Sequence, residues 1–241
     1  MSARVGDDIV LLGPPRNVSG LVPIAVSRSS LIPVSISVGE ESAVYRGTLR
    51  AAGVRGGELR LRLPPGTPPG VYTGEATVRG ETKRLRVEIE PVLRLNLQPN
   101  QTTLSVRAAT SVEFSVTVSN DGNVPFEIPK TGVLDLDDGV AQERALGRTL
   151  RAELVQGEHR IDRYFDELKE GHGGEAHVAV RSGAGTLRPG EAREITCLLD
   201  VPSTAKAGRS YAGPWRIGNT AHVIVADIEA GTGPVNGKRR K

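Results

Sequence analysis

Cysteine occurs once in the 241 residues, at Cys197, so no disulfide can form within the chain. A fold that does without disulfides suits a reducing compartment, and it also suits many envelope proteins. Aromatic residues are almost as scarce, with one Trp, four Tyr and three Phe. That is too few for the row of stacked rings with which proteins hold single-stranded nucleic acid, so a nucleic-acid partner is not expected. No run of 18 apolar residues is present, which excludes a membrane-spanning helix in the sequence as read. The opening stretch MSARVGDDIVLLGPP has Asp7 and Asp8 where a secretory leader needs an apolar centre, so no leader is expected there.

Catalytic signatures are missing as well. There is no G-x-S-x-G elbow for a serine nucleophile, and no G-x-G-x-x-G after a strand. The segment GTGPVNGKRR only mimics a phosphate loop, because Thr232 stands where the first glycine is required and Arg239 where Ser or Thr must follow the lysine. Asp135, Asp137 and Asp138 lack the twelve-residue pattern of a calcium loop. Of four histidines, His159, His172 and His177 fall among acids, but neither H-x-H nor H-E-x-x-H occurs. They read as a polar surface rather than as converging metal ligands. The fourth, His222, reads as an outward residue of a late strand. No catalytic residue, metal or cofactor is therefore expected, and the chain reads as no enzyme.

What is abundant is glycine (29) and proline (16), spread in short groups that punctuate many short elements. Between them apolar residues alternate with polar ones. ELRLRLP puts Leu59, Leu61 and Leu63 on one face and Arg60 and Arg62 on the other, and KRLRVEIE does the same with Leu85, Val87 and Ile89. Strands are expected at 9–12, 21–27, 31–38, 43–49, 58–63, 71–79 and 83–90, with a hairpin at Arg79-Gly80. Seven short strands in about 90 residues without helical period indicate a β-sandwich. Pro91 closes this unit and the pattern restarts, with strands at 93–97, 103–107, 111–119, 123–128, 191–201, 210–217 and 221–229. The fold class is thus all-β, with two tandem Ig-like or Fn3-like sandwiches over 1–91 and 92–231. The second is enlarged by an insertion at 131–190, and 232–241 forms a flexible basic tail.

Two stretches are nearly the same sentence: LPPGTPPGVYTGEATVRG from Leu63 and VPSTAKAGRSYAGPWRIGN from Val201. Each runs from a proline corner through a glycine (Gly70, Gly208) to a tyrosine (Tyr72, Tyr211). In Ig-type sandwiches such a tyrosine opens the penultimate strand, and its hydroxyl bonds back to the corner backbone. The repeat marks one structural corner per domain. Trp215 alternates with Tyr211 along the second copy and has two readings, a buried core ring or an exposed anchor for sugar or protein. In the insertion, RIDRYFDELKEG places Ile161, Phe165 and Leu168 at helical spacing before Gly171, which predicts a short amphipathic helix. That helix either packs on the sandwich and closes one end or docks a partner. Cys197, inside an alternating run, reads as a small buried residue.

Charge is unevenly placed. Residues 1–91 hold 12 Lys/Arg against 9 Asp/Glu, residues 92–237 hold 15 against 19, and Lys238, Arg239, Arg240 and Lys241 are all basic. Such a tail is a solvated end or a contact for an acidic surface.

The segments SVTVSNDGNVPFEI, LRPGEAREITCLLDVP and AGRSYAGPWRIG…AHVIVADI resemble the bacterial and archaeal Ig-like repeats of CARDB or NEW type. The marks are the N-x-G-N turn (Asn120, Gly122, Asn123) and the P-G-E step (Pro189, Gly190, Glu191). The resemblance covers about 92–229, with a looser copy at 1–91. It implies non-catalytic modules of cell-envelope, surface or multi-subunit proteins. The 131–190 insertion and the absence of a visible leader depart from that pattern and leave a cytoplasmic location open. The expected function is a scaffolding subunit that binds other proteins in a larger envelope, surface or virion-like assembly. The candidate contacts are Ile161, Phe165, Leu168, Trp215 and Lys238–Lys241. A carbohydrate- or surface-binding accessory module, or a chaperone-like binder of partner strands, stands as the alternative.

Overall fold

A computed structural model describes residues 8–23, 26, 28–38, 41–52, 56–153 and 159–230. The chain forms two Ig-like β units, with two helices in the second. The first unit holds strands β1 (Ile9–Gly13), β2 (Val18–Val22), β3 (Ser30–Val38), β4 (Glu41–Ala51), β5 (Gly57–Leu61), β6 (Gly70–Val78) and β7 (Glu81–Ile89). They close in the order β1-β2-β5-β4-β3-β6-β7, because β1 pairs parallel with β7 and antiparallel with β2. The period-2 pattern fills this barrel. Leu59, Leu61, Leu85, Val87 and Ile89 are all buried in the core, together with Leu11 and Val34. Arg79 and Gly80 both take positive φ at the β6–β7 turn, which the right-handed twist of a two-residue hairpin favours.

The second expected strand, 21–27, is displaced to 18–22, and part of the expected stretch (24, 25 and 27) lies outside the described residues. The absence of a side chain at Gly20 is what this register requires. A Cβ there would stand 1.9 Å from the Val10 carbonyl, so only glycine lets β2 approach β1.

The second unit is built on an eight-stranded sheet. Its strands are β8 (Leu95–Gln98), β9 (Gln101–Val106), β10 (Ser111–Asn120), β12 (Thr131–Asp137), β13 (His172–Ser182), β15 (Ala192–Asp200), β16 (Ser210–Ile217) and β17 (Thr220–Ile228). The order is β8-β10-β15-β13-β12-β16-β17-β9, with β11 (Phe126–Ile128) and β14 (Gly185–Leu187) as a separate pair. The two ends of the sheet, β8 and β9, are consecutive pieces of chain.

This order corrects the expected insertion. Residues 131–137 and 172–182 are central strands: they pair with each other along their length, β12 also reaches β16 where Asp137 pairs with Ala212, and β13 also pairs with β15 from His177 on. Between them the described residues of 138–171 leave the sheet, and after β13 Gly185–Leu187 pairs with β11 instead. The misreading has a physical cause. Tyr211 and Trp215 on β16 leave no room for a side chain at one glycine in each of these two strands. A Cβ on Gly173 would meet the Tyr211 ring at 2.7 Å, and one on Gly132 the Trp215 ring at 2.1 Å. Strands thinned in this way carry little strand signal.

Candidate functional site

The segment that leaves the sheet is an αα-hairpin, α1 (Ala141–Arg151) and α2 (Arg160–Lys169). The helices pack on each other and neither packs broadly on a strand, so the hairpin projects from the sheet. Its two stems meet where the Asp138 amide donates to the Gly171 carbonyl. Near the other end Arg160 Nη1 donates to the Thr149 carbonyl at 2.9 Å, so the helices run antiparallel. Arg148 and Glu167 form a 3.0 Å ion pair between them.

Asp138 is the anchor. It is the one carboxylate buried among the described residues. One oxygen accepts from the Val140 amide at 3.1 Å, and the other pairs with Arg144 on the first turn of α1. Arg209 from the corner before β16 stands 4.0 Å from that same oxygen. Its guanidinium also donates to the Glu170 carbonyl at 2.8 Å, gathering the end of α2. Lys206 pairs with the Glu170 side chain, and that hydrogen bond and charge hold the carboxyl below its usual range. A buried acid can persist here because two guanidinium groups and an amide face it.

The hairpin distributes its side chains against the usual rule. Small residues are inside: Ala145 and Thr149 are the buried residues of α1, and α2 has none. Large apolar residues are outside, with Leu146 52 %, Leu150 63 %, Ile161 57 % and Phe165 53 % exposed. Of the three apolar positions expected on α2, Ile161 and Phe165 are exposed and Leu168 is half-buried. α1, with Leu146 and Leu150, had no reading from sequence. Its signal was the i, i+4 recurrence of Ala145/Thr149 and Leu146/Leu150, interrupted by Gly147.

The other expected residues lie elsewhere. Tyr72 donates its hydroxyl to the Pro68 carbonyl at 2.7 Å, and burial pushes its pKa up. Tyr211 is fully buried, and its hydroxyl accepts from the Lys206 amide at 3.1 Å. The two corners thus use the hydroxyl in opposite senses. Gly70 and Gly208 precede them with positive φ. Lys238–Lys241 lie outside the described residues.

Trp215 requires a correction. It is 0 % exposed and cannot touch a partner. Its ring meets Phe114 edge-on at 6.1 Å, and Phe114 stacks on His222 at 5.9 Å. His222 is corrected too, since it points inward and is fully buried. Trp215 and His222 oppose each other across β16 and β17, so one inward register buries both. Cys197 is buried on β15, and desolvation pushes its thiol up to about 12.

Burial lowers the His222 pKa, against a smaller opposing effect from its 3.0 Å contact with the Pro99 carbonyl. The unfolded chain therefore binds the proton more readily. Stability is full above the ordinary value of 6.5 and falls as pH drops below it toward the depressed folded value. Urea midpoints between pH 7.5 and 5 should fall more steeply for the native chain than for His222→Phe. Parallel profiles would show that His222 contributes nothing to acid sensitivity.

Among the described residues no three His, Cys, Asp or Glu side chains gather as metal ligands. His172 pairs with Asp137 and His177 with Glu175, both on the surface. Among the described residues no helix is long and apolar enough to cross a membrane.

No protein-family model matches the chain, and no curated protein matches it. Solved structures with similar strand arrangements include a protein of unknown function from Porphyromonas gingivalis W83, at 10 % identity and TM-score 0.27 over 92 % of this chain and 96 % of that one. Others are a titin fragment, at 10 % and 0.32 over 93 % and 97 %, and Dpr11 IG1 bound to DIP-gamma, at 8 % and 0.33 over 94 % and 98 %.

Proposed function

We propose that the chain is a non-catalytic scaffolding subunit of a larger assembly, in which two Ig-like units carry an αα-hairpin that docks on protein. The inverted hairpin carries this reading: Ala145 and Thr149 inside, Leu146, Leu150, Ile161 and Phe165 outside. Four large apolar side chains left in water on two short helices are the mark of a surface that is covered in use. The resemblance to CARDB or NEW-type repeats agrees with a non-catalytic role and with an envelope or surface assembly. The basic tail Lys238–Lys241 adds a contact for an acidic surface.

The alternatives are less favoured. A carbohydrate module loses its best anchor with Trp215 in the core. A binder of partner strands needs a long free edge. The first sheet closes on itself, and the ends of the second are strands of four and six residues.

The test is capture of partners from native host extract by tagged full chain, by Leu150→Asp/Phe165→Asp, and by a chain lacking Lys238–Lys241. A defined protein set held by the full chain and lost with the double substitution supports hairpin docking. Removal of 131–190 is unsuitable, because it would take out β12 and β13. A full chain that captures no protein, itself included, overturns the reading.

A further inference from the structure

We infer that the partner at the hairpin face is a second copy of this chain, joined in an antiparallel four-helix bundle; this rests on the docking reading above. The geometry begins with the two apolar pairs. Leu146 and Leu150 each follow a buried residue, Ala145 and Thr149, and Phe165 follows the half-buried Tyr164. One residue turns a helix by about 100°. Because α1 and α2 run antiparallel, the same turn away from their mutual face carries both pairs to one side of the hairpin. Ile161 lies one turn before Phe165 on that side. The contacts at the two ends, Asp138 with Gly171 and Thr149 with Arg160, fix the levels. Leu150 stands level with Ile161, and Leu146 level with Phe165.

A two-fold axis along the hairpin then lays α1 of one copy on α2 of the other. Leu150 meets Ile161 and Leu146 meets Phe165, twice each. All neighbouring helices are antiparallel, which is the up-and-down bundle that two hairpins form most simply. The charges fit the same axis. Glu143 is exposed at the stem of α1, level with Lys169 at the stem of α2. Each flanks the apolar side on its outer rim. Within one copy they lie on opposite rims, and across the axis Glu143 faces Lys169 of the other copy. Glu143 has no ion-pair partner among the described residues, and Lys169 holds only its neighbour Asp166, with both side chains mostly in water.

Sedimentation of the purified full chain tests this. A species of twice 25.6 kDa is expected at micromolar concentration. Phe165→Asp should weaken association at least tenfold with unchanged circular dichroism. Glu143→Lys and Lys169→Glu should each weaken it severalfold, and the double exchange should restore it. These exposed exchanges leave the core alone, so they decide the matter even if Phe165→Asp folds poorly. A native chain that stays monomeric overturns the inference, as does a dimer indifferent to Phe165→Asp and to both single exchanges. If the pure chain is monomeric while Leu150→Asp/Phe165→Asp still loses a captured protein, the docking reading survives and only the second copy is excluded.

Discussion

Gly132→Ala is expected to lose about 3 kcal/mol of stability, a large response to one methyl group. The added carbon would stand 2.1 Å from Trp215 Nε1 and 2.7 Å from its Cδ1. An indole is rigid, and this one has nowhere to retreat. It is fully buried, and Phe114 meets it edge-on. Strand β12 cannot yield easily either, because β13 pairs along its whole length. A cycle with Trp215→Phe isolates the clash. The smaller ring removes the nitrogen that the methyl strikes, so the double variant should lose at least about 1 kcal/mol less than the two single losses combined. Urea unfolding supplies the three values. Strict additivity would mean that Gly132 is required for its backbone and not for the space it leaves.

Asp138→Ala should loosen the hairpin while leaving the sheets intact. The carboxylate closes the turn before α1, pairs with Arg144 and faces Arg209. Breaking a fully buried pair costs about 3–5 kcal/mol. Arg144 is 36 % exposed, so solvent screening brings the expected loss nearer to about 2 kcal/mol. Helices of 11 and 10 residues are marginal without tertiary support. Hydrogen exchange should therefore speed up through Ala141–Arg151 and Arg160–Lys169 and stay slow in β10 and β15. Asp138→Asn keeps an acceptor for the Val140 amide and loses the charge, so it should fall between. Unchanged exchange in the helices of Asp138→Ala would remove Asp138 as the anchor. Since the four exposed apolar residues depend on the hairpin's order, the same substitution should also weaken association.

The exposed apolar face of the hairpin was half legible. Ile161, Phe165 and Leu168 could be placed on one helix from their spacing, and their orientation could not. An apolar stripe ordinarily turns inward. Here the inner position went to Ala145 and Thr149 on a helix that Gly147 made hard to see. His222 illustrates the same limit. A polar residue in an alternating strand is read as outward, yet its register against Trp215 on β16 turns it into the core.

By itself the sequence determined the all-β class, most strand positions and the doubled proline–glycine–tyrosine corner, because alternation and turn chemistry act over a few residues and leave local marks. Tertiary structure alone decided that residues 131–137 and 172–182 are central strands, that Trp215 lies in the core, and that the hairpin turns its large apolar side chains to water. The strand placement and the packing of Trp215 depend on partners far away in the chain: aromatic rings on β16 that demand glycine at 132 and 173, and the pairing of β12 with β16. Contacts of that kind join residues tens of positions apart, and no local pattern records them.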